Sequence, residues 1–337
     1  MPKLSKIKNK SIGKYFKKML GKVVFLGTGA GMPTRERNVA SLAVIVNDSG
    51  DFWLFDCGEG TQHRIASVGL KLSKLKAVFI THLHGDHLFG LPGLLATRGL
   101  QGVERKIELF GPIGLENYLD SCFDYSETFI PYPYQIHQIE KEKFYTKRLL
   151  WKNGNDSVYC ASLNHHVDCF GYSIFEKNIK RNILTDKLLR LGIKPGPIYR
   201  KIKETKQITL EDGRILKTDG FVKESKNIKK ICYCSDTMFT ENAIKLSKDA
   251  DLLIHEATFS SNEKIEAEKS FHSTIKDAIR VAKRAKVKRL VLTHISPRYH
   301  KSEENVHKWN IFKEEATRQY PGIILAEDFL EINIAPA

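Results

Sequence analysis

The chain has 337 residues, 42% of them hydrophobic and 28% charged, a composition that excludes wholesale disorder and a fibrous repeat and leaves room for one large domain or two ordinary ones. No apolar run reaches the roughly 18 residues of a membrane span or forms a secretory signal near the start, and six cysteines without a CxxC pair argue against a disulfide scaffold or zinc ribbon and for a reducing, intracellular setting. The formal net charge of +15 is local: residues 1–22 carry eight lysines and no acid, residues 173–206 carry ten basic and three acidic residues, and the remainder balances, which implies a polyanionic partner met at defined places.

In chain order, residues 1–21 lack apolar periodicity and read as a basic leader. A mitochondrial presequence would favour arginine, and the leader has none, so the expected compartment is the cytoplasm. The folded part begins at 22 with a short apolar run closed by Gly27-Thr-Gly-Ala-Gly31. Strand-like runs follow at 42–46, 52–55, 77–80, 107–110, 158–163, 231–234, 252–254 and 289–292, each ended by Gly, Asp, His or Thr. Residues 273–287 predict a helix, with Ile275, Ala278, Ile279, Ala282 and Ala285 on one face. Strands in two groups with helices between them predict a layered α/β fold. The basic stretch 173–206, with a short amphipathic segment at 185–191 and the rigid turn Lys194-Pro-Gly-Pro197, reads as an arm inserted into a domain that spans 22–337.

The chemistry concentrates at Thr81-His82-Leu83-His84-Gly85-Asp86-His87, directly after a strand. Three imidazoles and a carboxylate within six residues cannot be buried cheaply, because each needs hydrogen-bond partners. A divalent metal such as Zn²⁺ or Mn²⁺ satisfies them together. Gly85 is expected to tighten the turn. His82 and His84 can serve one ion, Asp86 and His87 a second, and the extra ligands are expected from strand ends: His165, Asp236 and His294. An Asp bridging two ions spans their usual ~3.5–4 Å separation. Cys232 and Cys234 flank Tyr233 and are expected to be buried thiols on one layer. His63, His137, His300 and His307 lack partner patterns, Trp53, Trp151 and Trp309 read as packing, and the 27–31 glycines lack the rest of a dinucleotide fingerprint.

HxHxDH at 82–87 with later His165, Asp236 and His294 resembles the metallo-β-lactamase superfamily. That resemblance implies an αββα sandwich with metals at one sheet edge, and fits Asp56 as a partner for a liganding His. HxHxDH leaves the substrate open among thioesters, lactams and phosphodiesters. Phe25–Thr34 with Arg37-Asn38, DCGEGTQ at 56–62, YCSDT at 233–237, HEAT at 255–258, HST at 272–274 and LTHISPRY at 292–299 resemble, in order, the motifs of the ribonuclease Z family. NHHVDCFGY at 164–172 resembles its third His region and favours His165 over His166.

The resemblance implies a short-form, homodimeric endoribonuclease with two Zn²⁺ per subunit, Mn²⁺ or Mg²⁺ being alternatives, that acts on precursor tRNA without a nucleotide cofactor or a membrane. GIKPGPIY at 192–199, with Gly196 and Pro197 at its turn, resembles the family's tRNA-gripping arm. Asp86 is expected to orient the nucleophile and accept its proton, Arg298 to offset phosphoryl charge, and His272, oriented by Glu256, to protonate the departing 3′ oxygen. From the residues alone, Ser273 or Thr274 capping a helix explains that stretch equally well. A fold relative cleaving thioesters or small phosphodiesters and a metal-free RNA-binding protein are the competing readings.

Overall fold

The structure, a computed structural model, describes residues 21–46, 49–142, 145–154, 156–210, 212–299 and 305–334. The expected leader, except Gly21, and His300 lie outside them.

Two seven-stranded sheets are stacked. The first has the order Glu331–Asn333, Lys22–Gly27, Ser41–Ile45, Phe52–Phe55, Leu75–Phe79, Ile107–Pro112 and Tyr134–Ile139. The second runs Ile324–Leu325, Leu290–Thr293, Leu252–Glu256, Val222–Cys234, Phe170–Ile183, Asp156–Ser162 and Arg148–Asn153. Side chains alternate across the central strands and are apolar on both faces there, as expected for strands covered on two sides. Val23 and Phe25, Trp53 and Phe55, and Ala77 and Phe79 point between the sheets to meet Tyr172, Ile231, Tyr233 and Ile254. Val24, Leu26, Leu54 and Val78 point outward onto the helices Thr61–Ser67, Leu91–Leu100 and Leu115–Tyr125. On the other flank, Cys232, Cys234, Leu253 and Leu292 pack under Glu241–Ser247, Ile275–Ala285 and Val306–Gln319. The architecture is the expected αββα sandwich. Phe79 stacks between Phe55 and Phe110, with ring centroids 4.9 and 4.8 Å apart, a rigid floor under the sheet edge where the polar residues gather.

The strand directions explain why those residues gather. Val222–Cys234, Leu252–Glu256 and Leu290–Thr293 are parallel neighbours, so their C-terminal ends deliver Asp236, Glu256 and His294 to one edge. Phe52–Phe55 and Leu75–Phe79 are also parallel and deliver Asp56 and the 81–87 turn. Tyr172 Oη donates to Ile80 O at 2.6 Å and Phe170 N to Thr81 O at 2.9 Å, locking the sheets together at that edge.

The inserted arm is larger than the basic stretch that announced it. Phe170–Ile183 and Val222–Cys234 form a long antiparallel stem, in register from Tyr172–Tyr233 out to Ile183–Val222. Beyond the stem lie the helices Thr185–Arg190 and Pro197–Glu204 and the small hairpin Gln207–Thr209/Ile215–Lys217. Leu188, Ile193, Ile202 and Ile208 form a separate buried cluster there. The boundary at 206 therefore cuts through a folded unit that continues to Phe221, because its second half is neither basic nor obviously periodic. Gly196 and Pro197 are exposed at the start of the second helix.

Candidate metal centre

All seven expected ligands converge. His82, His84, His165 and Asp236 form one group; Asp86, His87 and His294 form a second; within each, the potential ligand atoms all lie within 4.8 Å of one another. Asp236 joins them. Its Oδ2 is 3.5 Å from His82 Nε2, while its Oδ1 lies 3.4 Å from His87 Nε2 and 3.3 Å from His294 Nε2. His165 is buried and faces His84 (Nε2 to Nδ1, 3.4 Å), whereas His166 is exposed.

The surroundings fix which nitrogen faces inward. His87 Nδ1 donates to Asp56 Oδ2 at 2.9 Å and His165 Nδ1 to Phe271 O at 2.9 Å. His82 Nδ1 lies 3.0 Å from Thr81 Oγ1, which itself donates to Asp56 Oδ2. His294 Nδ1 lies 3.0 Å from Thr258 Oγ1, which donates to Glu256 Oε2. Four imidazoles thus turn an unprotonated Nε2 to the site. His87 Nε2 and His294 Nε2 are 3.2 Å apart, a close pair of nitrogens that a proton or a cation between them reconciles. Burial works against a proton on His87, yet Asp236, Asp56 and Asp86 hold its pKa well above the ordinary value, so the site is built around positive charge. Burial pushes His82 well down, keeping it in the neutral form that ligates. The donor set, imidazole and carboxylate only, fits a borderline divalent cation.

Asp56 supports this shell in two ways. Its left-handed backbone (φ 57°) makes the turn after its strand, and its carboxylate accepts from Thr81 N, Thr81 Oγ1, Tyr233 Oη and His87 Nδ1. Gly31 N donates to Asp86 Oδ2 at 2.8 Å, so the 27–31 loop positions a ligand. Gly85 is not left-handed; its missing side chain makes room for the Phe89 ring.

His272 and Glu256 form a pair beside the second group. His272 Nδ1 donates to Glu256 Oε1 at 2.9 Å, and its Nε2 is 3.9 Å from Asp236 Oδ2. Burial disfavours the charged ring, but the Glu256 carboxylate outweighs it and raises the His272 pKa to about 9. Thr274 does cap the helix Ile275–Ala285, in a reciprocal pair with Asp277, while Ser273 Oγ donates to Thr237 O. The capping explanation and the His–Glu pair therefore coexist on adjacent residues. Arg298 bonds Glu263 Oε1 at 2.6 Å and Ser296 Oγ at 3.2 Å, and covers Phe259. The Phe259 ring centroid is in turn 6.2 Å from that of His272.

Thr81, Thr258, Tyr233, Gly31 and Phe271 support the centre and were not singled out as site residues. Thr81 and Tyr233 lie close in sequence to His82 and Asp236, whereas Gly31 and Phe271 act through backbone groups that residue type does not mark. Cys232 and Cys234 are buried thiols with sulfurs 3.9 Å apart, and His137 bonds Glu108 at 2.8 Å.

The two sheets, their helical flanks and this paired His/Asp edge define a metal-dependent hydrolase of the metallo-β-lactamase fold. The family model described as "Beta-lactamase superfamily domain" matches residues 205–295, and one described as "Anti-Pycsar protein Apyc1" matches residues 21–124. "Ribonuclease Z" of Acaryochloris marina is 43% identical over 312 residues, covering 93% of this chain and 97% of that protein. "Ribonuclease Z" of Trichodesmium erythraeum is 42% identical over 93% of this chain and 95% of its own length. The crystal structure of the human short-form tRNase Z matches 93% of this chain and 99% of its own, with a TM-score of 0.65 at 29% identity. The chain belongs to the ribonuclease Z family. Among the described residues, no helix is long and apolar enough to cross a membrane.

Proposed function

We propose that this enzyme is a zinc-dependent endoribonuclease that removes the 3′ trailer of precursor tRNA, leaving a tRNA 3′-hydroxyl and a trailer 5′-phosphate. The observation that carries the reading is the Asp236 carboxylate set between two groups of inward-facing ligands, a donor arrangement for two ions per subunit, with His272–Glu256 beside it. The names of its relatives supply the RNA.

His82, His84 and His165 would hold one ion, Asp86, His87 and His294 the other, with Asp236 shared. When bound, such ions supply a hydroxide at neutral pH and offset phosphoryl charge. Asp86, fixed by Gly31 N, orients the attacking oxygen. His272 holds its proton at neutral pH because of Glu256 and is placed to give it from Nε2 to the departing 3′ oxygen. Arg298 contributes charge from outside this ring. The arm presents Lys187, Arg190, Lys194, Arg200, Lys201, Lys203 and Lys206 to solvent around Gly196 and Pro197, a phosphate-binding face that can grip folded RNA at a distance from the cut. In a homodimer it would serve the partner's site.

Mapping the cut on one precursor tRNA, with metal analysis of the same sample, tests the reading. A single cut at the mature 3′ end and about two zinc ions per chain are expected; preference for a glutathione thioester, or a protein that binds RNA without metal, would overturn it.

A further inference from the structure

Three of the non-glycine residues with left-handed backbone touch the metal centre: Asp56 (φ 57°), His294 (φ 55°) and Phe271 (φ 58°). Aspartate tolerates that conformation, but a bulky aromatic residue adopts it only under constraint. The left-handed turn closes the end of the helix Lys264–Lys269, where Phe271 N and His272 N donate to Glu268 O and Ala267 O, and it aims the Phe271 carbonyl at His165, whose Nδ1 donates to it at 2.9 Å. Glycine would hold the same carbonyl in place without strain, so the turn and its carbonyl account for the backbone and not for the ring. The ring is 37% exposed. Its centroid lies 6.0 Å from that of exposed His166, which is in turn 4.9 Å from the ligand His84. Two exposed rings therefore lead away from the first ligand group at the mouth of the site.

We infer that Phe271, with His166 beside it, is a stacking platform for the base of a nucleotide adjoining the scissile phosphate. This rests on the reading of the substrate as RNA. Single-stranded ends are held by stacking bases on aromatic side chains, with little dependence on which base it is. A phosphate placed between the ligand groups carries its flanking bases past this mouth, and Phe271 then fixes the strand's direction across the metals. It is a substrate-binding residue whose backbone also positions a ligand.

The test separates the two roles. Phe271→Gly keeps the left-handed backbone and removes the ring; Phe271→Tyr keeps both. Precursor tRNA is prepared intact and with an abasic residue on either side of the cut, and bis(p-nitrophenyl) phosphate reports the metal centre alone. Phe271→Gly should lower kcat/KM on intact precursor about ten-fold or more beyond any change in its metal content and diester hydrolysis. Phe271→Tyr should stay near wild type. With the abasic residue at one of the two positions, wild type should fall to the level of Phe271→Gly. Wild-type cleavage of intact precursor by Phe271→Gly, a loss undiminished on both abasic substrates, or parallel loss of metal and diester hydrolysis would each overturn the platform. A wild-type chain that cuts no precursor tRNA overturns the substrate reading and the platform with it, a result visible before any variant is compared.

Discussion

Glu256 reaches two residues of the site with one carboxylate: Oε1 accepts from His272 Nδ1 at 2.9 Å, and Oε2 accepts from Thr258 Oγ1 at 2.7 Å, the hydroxyl that faces the ligand His294. The proposed acid–base and metal-holding residues are therefore mechanically joined, and their separation by mutation depends on which residue is changed. His272→Ala leaves Glu256 and Thr258 in place. It should lower turnover on precursor tRNA by about 10²–10⁴-fold with bound metal unchanged by elemental analysis. Metal loss in this variant would move His272 into the ligand shell.

Asp236→Ala removes the one carboxylate that serves both ligand groups. Bound metal should fall well below that of wild type, and hydrolysis of both precursor tRNA and a small diester should disappear. Asp56→Asn is milder, since it weakens the support of His87 without touching a ligand. A loss of about 10–100-fold in metal affinity is expected, measured by competition with a chelator; activity restored by excess zinc would separate it from Asp236→Ala.

The arm can be removed where its stem closes. Ile183 and Val222 face each other in the antiparallel register, so replacing 184–221 by a two-residue Asn-Gly turn joins the strands without strain. This variant should bind precursor tRNA far more weakly in filter binding while hydrolysing bis(p-nitrophenyl) phosphate at near the wild-type rate. Equal loss of both would show that the arm supports the domain rather than the substrate. A deletion drawn from the basic stretch alone would sever one stem strand and strand its partner.

Gly58 lies under the site, where a β-carbon would collide with the carbonyl oxygen of Asp86 and with Val39. Gly58→Ala should destabilise the fold by about 1–3 kcal/mol and displace Asp86. Thermal melting with and without added zinc checks this: a smaller zinc-induced rise than in wild type is expected, and an unchanged melting curve would count against the close approach.

Much of this was legible in the residues because the core strands are short, apolar and ended by chemistry-bearing side chains. The run at 52–55 matches its strand, and those at 231–234 and 289–292 announce Asp236 and His294 directly. Tyr134–Ile139 and Arg148–Asn153 escaped because edge strands need little apolar patterning, and only Ile139 of Tyr134–Ile139 is buried. The outer stem escaped because cross-strand hydrogen bonds hold it while its residue types do not alternate. Links such as Gly31 to Asp86 and Phe271 to His165 depend on backbone groups, which carry no signature in residue type.

The first and last strands of the domain are partners: Lys22, Val23 and Val24 pair with Asn333, Ile332 and Glu331. Phe25 is further pinned by Leu330 and Phe329, and the last ligand, His294, precedes this closure by fewer than forty residues. A ribosome therefore releases nearly the whole polypeptide before either sheet can be completed. A chain that stops short of residue 331 leaves Lys22–Gly27 as an open edge strand.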